Sequence, residues 1–208
     1  AYFRERLEER RANPRENDLI TLLLESEIDG EKLSEGDLLA FCFLLIVAGN
    51  ETTRNAISGG LQVLCEHPEE KAKLLKDMSL LDSAIEEILR YSSVNALPRF
   101  ATRDVHFGDQ VIPEGDIVLP VLGAANRDPQ MFDRPDVLDF DRPDNRAMSF
   151  GHGIHHCLGA AVARLGAGVA LERVLDRFPD FGVDASTGRF APGPFVRRYE
   201  SLPFRAVA

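Results

Sequence analysis

Apolar positions recur at helical spacing through the first half of the chain and switch to alternation from Arg99. The opening AYFRERLEERR has no capping residue before its first periodic positions and no initiator methionine, so it reads as a helix entered midway and predicts a fragment. Tyr2, Phe3, Leu7 and Arg10 share one face of that helix, and alternating charges form its solvated remainder. Beyond NPREND, LITLLLES predicts a short helix, Asp29 and Gly30 a turn, and Ser34 with Asp37 a capping box. No breaker then interrupts a helix predicted over 34–65, about 45 Å long at the usual rise per residue. Such a helix would cross the whole domain. Its run LLAFCFLLIVAG is too short to span a bilayer and predicts a buried helix. Pro68 opens the next helix, and LLDSAIEEILRYSS predicts another over 82–92, capped by Asp82 or Ser79.

Alternation in RFATRDVHF and QVIPEGDIVLP, with Gly108 and Asp109 between them, predicts a small antiparallel sheet with tight turns. The segment 126–145 is rich in Pro, Asp and Arg, follows neither period, and predicts an ordered coil. LGAAVARLGAGVALERVLDRF predicts a helix stopped by Pro179, within a loop-and-helix unit over 150–178. Two short hairpins are predicted to finish the chain. The fold class is mainly α with small antiparallel β-sheets, without repeat, linker or low-complexity segment.

A chain of 208 residues can bury a substantial core. With 34 acidic against 24 basic residues its net charge is -10, which argues against nucleic acid and anionic membrane as partners. Three cysteines without paired spacing fit a reduced cytoplasm better than a disulfide scaffold.

The cysteine in FGHGIHHCLG, residues 150–159, admits three chemistries. A nucleophile needs a base within reach of the sulfur, and neither adjacent histidine obviously supplies that geometry. A zinc site could draw on His152, His155, His156 and Cys157, although adjacent side chains seldom converge on one tetrahedron. A small buried hydrophobe is the ordinary state of a lone cysteine and the default for Cys42 and Cys65. Around Cys157 the glycines at 151, 153 and 159 clear volume for something large and flat. The following helix places its N-terminus near the sulfur, where an anionic thiolate is favoured, and a thiolate beneath a planar macrocycle is haem ligation.

At these residues the chain resembles the cytochrome P450 family of haem-thiolate monooxygenases. The family signature F-G-x-G-x-H-x-C-x-G is matched by Phe150, Gly151, Gly153, His155, Cys157 and Gly159. The oxygen-activating motif A/G-G-x-D/E-T-T is matched by AGNETT, residues 48–53, inside the long helix. The family's Glu-x-x-Arg pair falls on Glu87 and Arg90, with a third member at Arg142 in FDR. The resemblance covers essentially the whole chain but only the C-terminal, haem-binding half of the family's usual length.

That resemblance implies haem b (iron protoporphyrin IX) with Cys157 as the axial ligand of its iron. It implies Phe150 packed near the sulfur, and His155 and Arg99 as partners of the haem propionates. Glu51 and Thr52 would deliver protons to bound dioxygen, with a local opening of the helix making room for it. Glu87, Arg90 and Arg142 would form a buried structural ion cluster. Ala48, Thr52, Val94 to Leu97, Phe195 and Val196 would face an apolar substrate. The implied activity is a cytoplasmic monooxygenase that inserts one oxygen atom of O2 into a small, mostly apolar molecule. Its electrons would come from NAD(P)H through a ferredoxin-type redox partner and its reductase. Two alternatives stay open: a haem-free, inactive structural fragment, and a zinc-binding protein. An incomplete fold would expose the apolar surface of the long helix, so self-association is expected.

Overall fold

The computed structural model describes residues 1–94, 98–193 and 195–206. The chain divides into two compact units, Ala1–Glu51 and Thr52–Ala208.

The first unit contains α1 (Tyr2–Ala12), α2 (Leu19–Glu25), the strand pair β1 (Glu27–Ile28) and β2 (Glu31–Lys32), and the beginning of α3 (Glu35–Glu66). Alternation is too short here to announce the strands. They form because Asp29 and Gly30 both take positive φ, 54° and 84°, as a tight two-residue hairpin turn requires. Leu7, Leu23, Leu38 and Cys42 are the buried centre of this unit. The Ser34 hydroxyl accepts from the Asp37 amide at 3.2 Å and donates to the Asp37 carboxylate at 2.6 Å, closing the start of α3.

Asp18 caps α2, accepting from the Thr21 amide at 3.0 Å and the Thr21 hydroxyl at 3.1 Å. The Thr21 amide, more than the neighbouring Arg10, holds the Asp18 carboxyl below its ordinary range. A depressed carboxyl stabilises the fold above its unfolded value, and that contribution disappears as pH falls through the folded one. Protection of the Thr21 amide from hydrogen exchange should therefore decline with acidification below about pH 4. Asp18→Asn, which keeps a capping acceptor without a charge, should flatten that decline. An identical acid limb in both proteins would show that the cap does not control it.

Phe43, Leu44, Ile46 and Val47 of α3 are exposed, contrary to the burial expected of LLAFCFLLIVAG. The apolar run is also part of a single helix of 32 residues, long and apolar enough by length and composition to cross a membrane. An apolar pattern marks a surface that can be covered; in this stretch Leu38 and Cys42 are buried, and Leu39 and Phe41 are partly covered against them.

In the second unit α3 continues, followed by α4 (Pro68–Lys76), a 3-10 turn at Met78–Leu80 and α5 (Leu81–Tyr91). The expected caps of α5 are corrected. Its N-cap is Leu80 with no side-chain bond, and Asp77 caps the preceding turn through the Ser79 amide at 3.0 Å. The long final helix is α7 (Ala160–Arg177), entered after a four-residue α6 (Leu122–Ala125) and the coil that carries the cysteine loop. Gly168 allows α7 to close on α5, since a Cβ there would stand 3.0 Å from the Ile85 side chain. Leu64, Leu74, Ile85, Ile88, Phe140, Leu171 and Phe181 are central to the resulting core.

The predicted small sheet is two separate pairs: β3 (Arg99–Phe100) with β6 (Ile117–Val118), and β4 (Val105–Phe107) with β5 (Gln110–Ile112). The two closing hairpins are instead nested. β8 (Arg189–Phe190) pairs with β9 (Tyr199–Ser201), while β7 (Gly182–Val183) pairs across them with β10 (Phe204–Arg205). Stacked Phe181 and Phe204 rings, 5.6 Å apart, fasten the outer pair.

Candidate functional site

Helices α3, α4, α5 and α7, strand β3 and the coil between α6 and α7 supply the groups of interest. On α5, Glu87 and Arg90 lie one helical turn apart with side-chain exposures of 1% and 0%. Two Arg90 nitrogens donate to the two Glu87 oxygens at 2.7 and 2.8 Å. Arg142 Nε donates to the same carboxylate at 3.0 and 3.1 Å, joined by the Asp139 amide at 3.0 Å and the Asn145 side-chain amide at 3.1 Å. Two cations against one anion leave an excess positive charge. Backbone carbonyls absorb it: Arg90 also donates to Asn126, Pro135 and Val137, and Arg142 to Asp133, Arg134 and Val137. The coil at 126–145 thus owes its order to two buried guanidiniums rather than to a ladder.

A residue that sequence reasoning passed over completes this clamp. Glu70 on α4 is buried, its Oε2 accepts from the Phe140 amide at 3.0 Å, and its Oε1 pairs with Lys73 at 2.7 Å. Consecutive amides, Asp139 and Phe140, are therefore held by carboxylates from two different helices. Glutamate in the first turn of a helix reads as ordinary dipole compensation, so the sequence carried no distinguishing signal.

The cysteine loop is closed by its own backbone. Gly151 and Gly153 take φ of 73° and 68°, conformations unfavourable to other residues. The Gly151 amide donates to Met148 at 2.8 Å, the Cys157 amide to Phe150 at 2.8 Å, and the His156 amide to Gly153 at 3.0 Å. Cys157 is exposed, and its carbonyl accepts from the Ala160 amide at the first turn of α7. Arg164, a turn further along, lies 4.3 Å over the Phe150 ring and is ion-paired to Glu86. Glu86 is the main reason that the Arg164 charge is reinforced, with a smaller contribution from Cys157.

The loop around Cys157 exposes both aliphatic side chains and the imidazoles of His152, His155 and His156. Ile154 is 98% exposed and Leu158 77%, and a Cβ at Gly153 or Gly159 would meet nothing within 4 Å. One sulfur donor amid uncovered aliphatic side chains and glycines fits a flat, apolar, metal-centred ligand such as haem. Zinc does not fit: among the described residues no three His, Cys, Asp or Glu side chains converge on one point.

The other expected site residues are distributed as follows. His155 is exposed in a 3-10 turn, Gly153–His155, and Arg99 is exposed on β3 with a bond to the Pro98 carbonyl at 3.0 Å. Ala48 and Glu51 belong to the first unit, and Thr52 opens the second. The helix is not broken at these residues, contrary to the expected local opening: α3 runs as one helix through AGNETT. Beside Thr52, the Thr53 methyl faces α7, 3.5 Å from where a Cβ of Gly166 would stand. Val94 and the last hairpin are brought together, because the Arg197 amide donates to the Val94 carbonyl at 2.7 Å. Val196 is half-buried and Phe195 exposed; Leu97 lies outside the described residues.

A family model described as Cytochrome P450 matches residues 1–181. Cytochrome P450 107B1 of Saccharopolyspora erythraea is 47% identical over 211 residues, covering all of this chain and 52% of the relative. The solved structure of Bacillus subtilis 168 PksS, a bacillaene polyketide synthase cytochrome P450, aligns with a TM-score of 0.94 at 39% identity, over 100% of this chain and 54% of that one. CYP109E1 from Bacillus megaterium, solved in complex with testosterone, aligns with a TM-score of 0.92 at 37% identity, over 100% and 58%. The chain spans about half the length of the relatives it matches.

Proposed function

Because the chain belongs to the cytochrome P450 family, we propose that it carries the haem-binding machinery of a monooxygenase that transfers one oxygen atom of O2 to a small apolar substrate. The observation that carries this reading is the Cys157 thiol, exposed among Ile154, Leu158 and two open glycines in a loop tied shut by the Phe150–Cys157 bond. Haem b, when bound, supplies reductive activation of dioxygen.

The residues of the chain then have separate tasks. Cys157, exposed at the entry to α7, would be the ligand of the iron. Phe150 covers one side of the sulfur and restricts water. His155 and Arg99 bind the propionate carboxylates, a role supported by their exposure. Glu51 and Thr52 move protons from solvent toward the oxygen-binding face. Ala48, Val94, Phe195 and Val196 contact substrate. Their apolar character favours an apolar molecule, as does the testosterone bound by the related Bacillus megaterium protein. Electrons come from NAD(P)H through a ferredoxin-type partner and its reductase. The net charge of -10 and the bacterial relatives support a cytoplasmic location.

The decisive experiment is the carbon monoxide difference spectrum of the reduced chain after addition of haem. A thiolate-type band is expected. Failure to retain haem would leave a haem-free structural module as the better description, and a band without thiolate character would refute Cys157 thiolate as the ligand.

Thr52→Ala should lower product formed per NAD(P)H by about a hundredfold, the low end of what a positioned proton donor contributes, with hydrogen peroxide released instead. Unchanged coupling in the enzyme supplied with its redox partner would remove Thr52 from proton delivery.

A further inference from the structure

We propose that Asn126 is a positioning residue that sets where the Cys157 thiol stands, by fastening the start of the cysteine loop to the helix bearing Glu87 and Arg90. The thiolate part of this proposal rests on the function proposed above; the positioning itself rests on geometry alone.

Asn126 is 0% exposed. Its Oδ1 accepts from the Met148 amide at 2.7 Å, and its Nδ2 donates to the Ser93 hydroxyl at 2.6 Å and the Ser149 hydroxyl at 2.9 Å. Its carbonyl accepts from Arg90 at 2.8 Å and its amide donates to the Leu122 carbonyl at 2.9 Å. Every donor is used. The orientation of the side-chain amide is also determined: the Met148 N–H needs an acceptor, and the Ser149 hydroxyl donates to the Leu89 carbonyl at 2.8 Å, so it must accept from Asn126.

Asparagine at a coil position ordinarily serves the backbone, by tolerating left-handed φ. That explanation fails here, since Asn126 has φ of -72° and ψ of -4°, open to any residue. Its side chain is what the site requires. Leucine would remove the acceptor of the Met148 amide, and aspartate would keep the acceptor but lose both donors.

The connection to the thiol is short. Met148, held by Asn126, accepts from Gly151; Phe150, two residues after Met148, accepts from the Cys157 amide. Arg90, which bonds the Asn126 carbonyl, is locked by Glu87. The ion cluster and the cysteine loop are therefore registered to each other through one residue, whose carbonyl holds Arg90 and whose side chain holds Met148 and Ser149, beside the direct bond from Ser149 to Leu89.

Hydrogen exchange of the haem-free chain tests this without haem chemistry. Asn126→Ala should speed exchange at both the Met148 and Cys157 amides by about tenfold or more, while Leu171 in α7 keeps its protection. Faster exchange at Met148 with Cys157 unchanged would overturn the proposal. Should Asn126→Ala lose protection throughout, Ser149→Ala decides: faster exchange at Cys157 supports positioning, and no change overturns it. In the haem-loaded chain the same substitutions should move the carbon monoxide spectrum from thiolate toward thiol type at equal haem content, with partial recovery in Asn126→Asp. Absence of a thiolate band in the unsubstituted chain would refute the proposed function, whereas an exchange result of the expected kind would still stand.

Discussion

Cys157→Ser is expected to abolish the thiolate-type carbon monoxide spectrum completely, while Cys42→Ser and Cys65→Ser leave it intact. The three sulfurs differ in environment. Burial pushes the Cys42 thiol above its usual range, which keeps it protonated and poorly suited to a metal. The Cys65 sulfur faces the Phe181 carbonyl at 3.7 Å, a contact that uses the thiol proton. Cys157 is exposed and lies at the entry to α7. Serine keeps the shape of the loop and its Phe150 backbone bond but offers a hydroxyl, which stays protonated at neutral pH. A thiolate spectrum surviving in Cys157→Ser would refute the assignment of the ligand, and with it the proposed function.

Glu87→Ala should destabilise the second unit by about 3–5 kcal/mol, the usual consequence of leaving buried charges without their partner. Domains are commonly stable by only about 5–15 kcal/mol, so the loss removes a large fraction of the second unit's stability and unfolds it if that stability lies at the low end. Arg90 and Arg142 would retain their carbonyl partners, yet two guanidiniums would face each other with no anion between them. The Asp139 amide and the Asn145 side chain would lose their acceptor as well. Glu87→Gln, which keeps one oxygen acceptor and no charge, should fall between. The urea midpoint of the second unit measures the effect, and a soluble Glu87→Ala protein with an unshifted midpoint would contradict the burial of the cluster.

Some features were readable because their causes are local. Asp29 and Gly30 announce a turn by their tolerance of positive φ, Ser34 and Asp37 close the start of α3 through adjacent atoms, and Pro68 opens α4 because it needs no amide partner. The cysteine loop was legible for the same reason: its glycines, phenylalanine and cysteine interact within ten residues of chain. Long-range relations were not. Any of the short closing strands could alternate against any other, and tertiary contacts such as Phe181 and Phe178 on Phe204 and Phe190 on Tyr199 accompany the nested pairing. An acid and a base one helical turn apart look alike on a solvated surface and in a core, so Glu87 and Arg90 became a buried cluster only when the coil at 126–145 folded over them. Glu70 and Asn126 carried no signal at all, because their partners lie 70 and 22 residues away. The apolar face of α3 shows the limit from the other side: hydrophobic periodicity establishes which residues gain by leaving water, but whether they do so depends on a neighbouring surface that the helix itself does not encode.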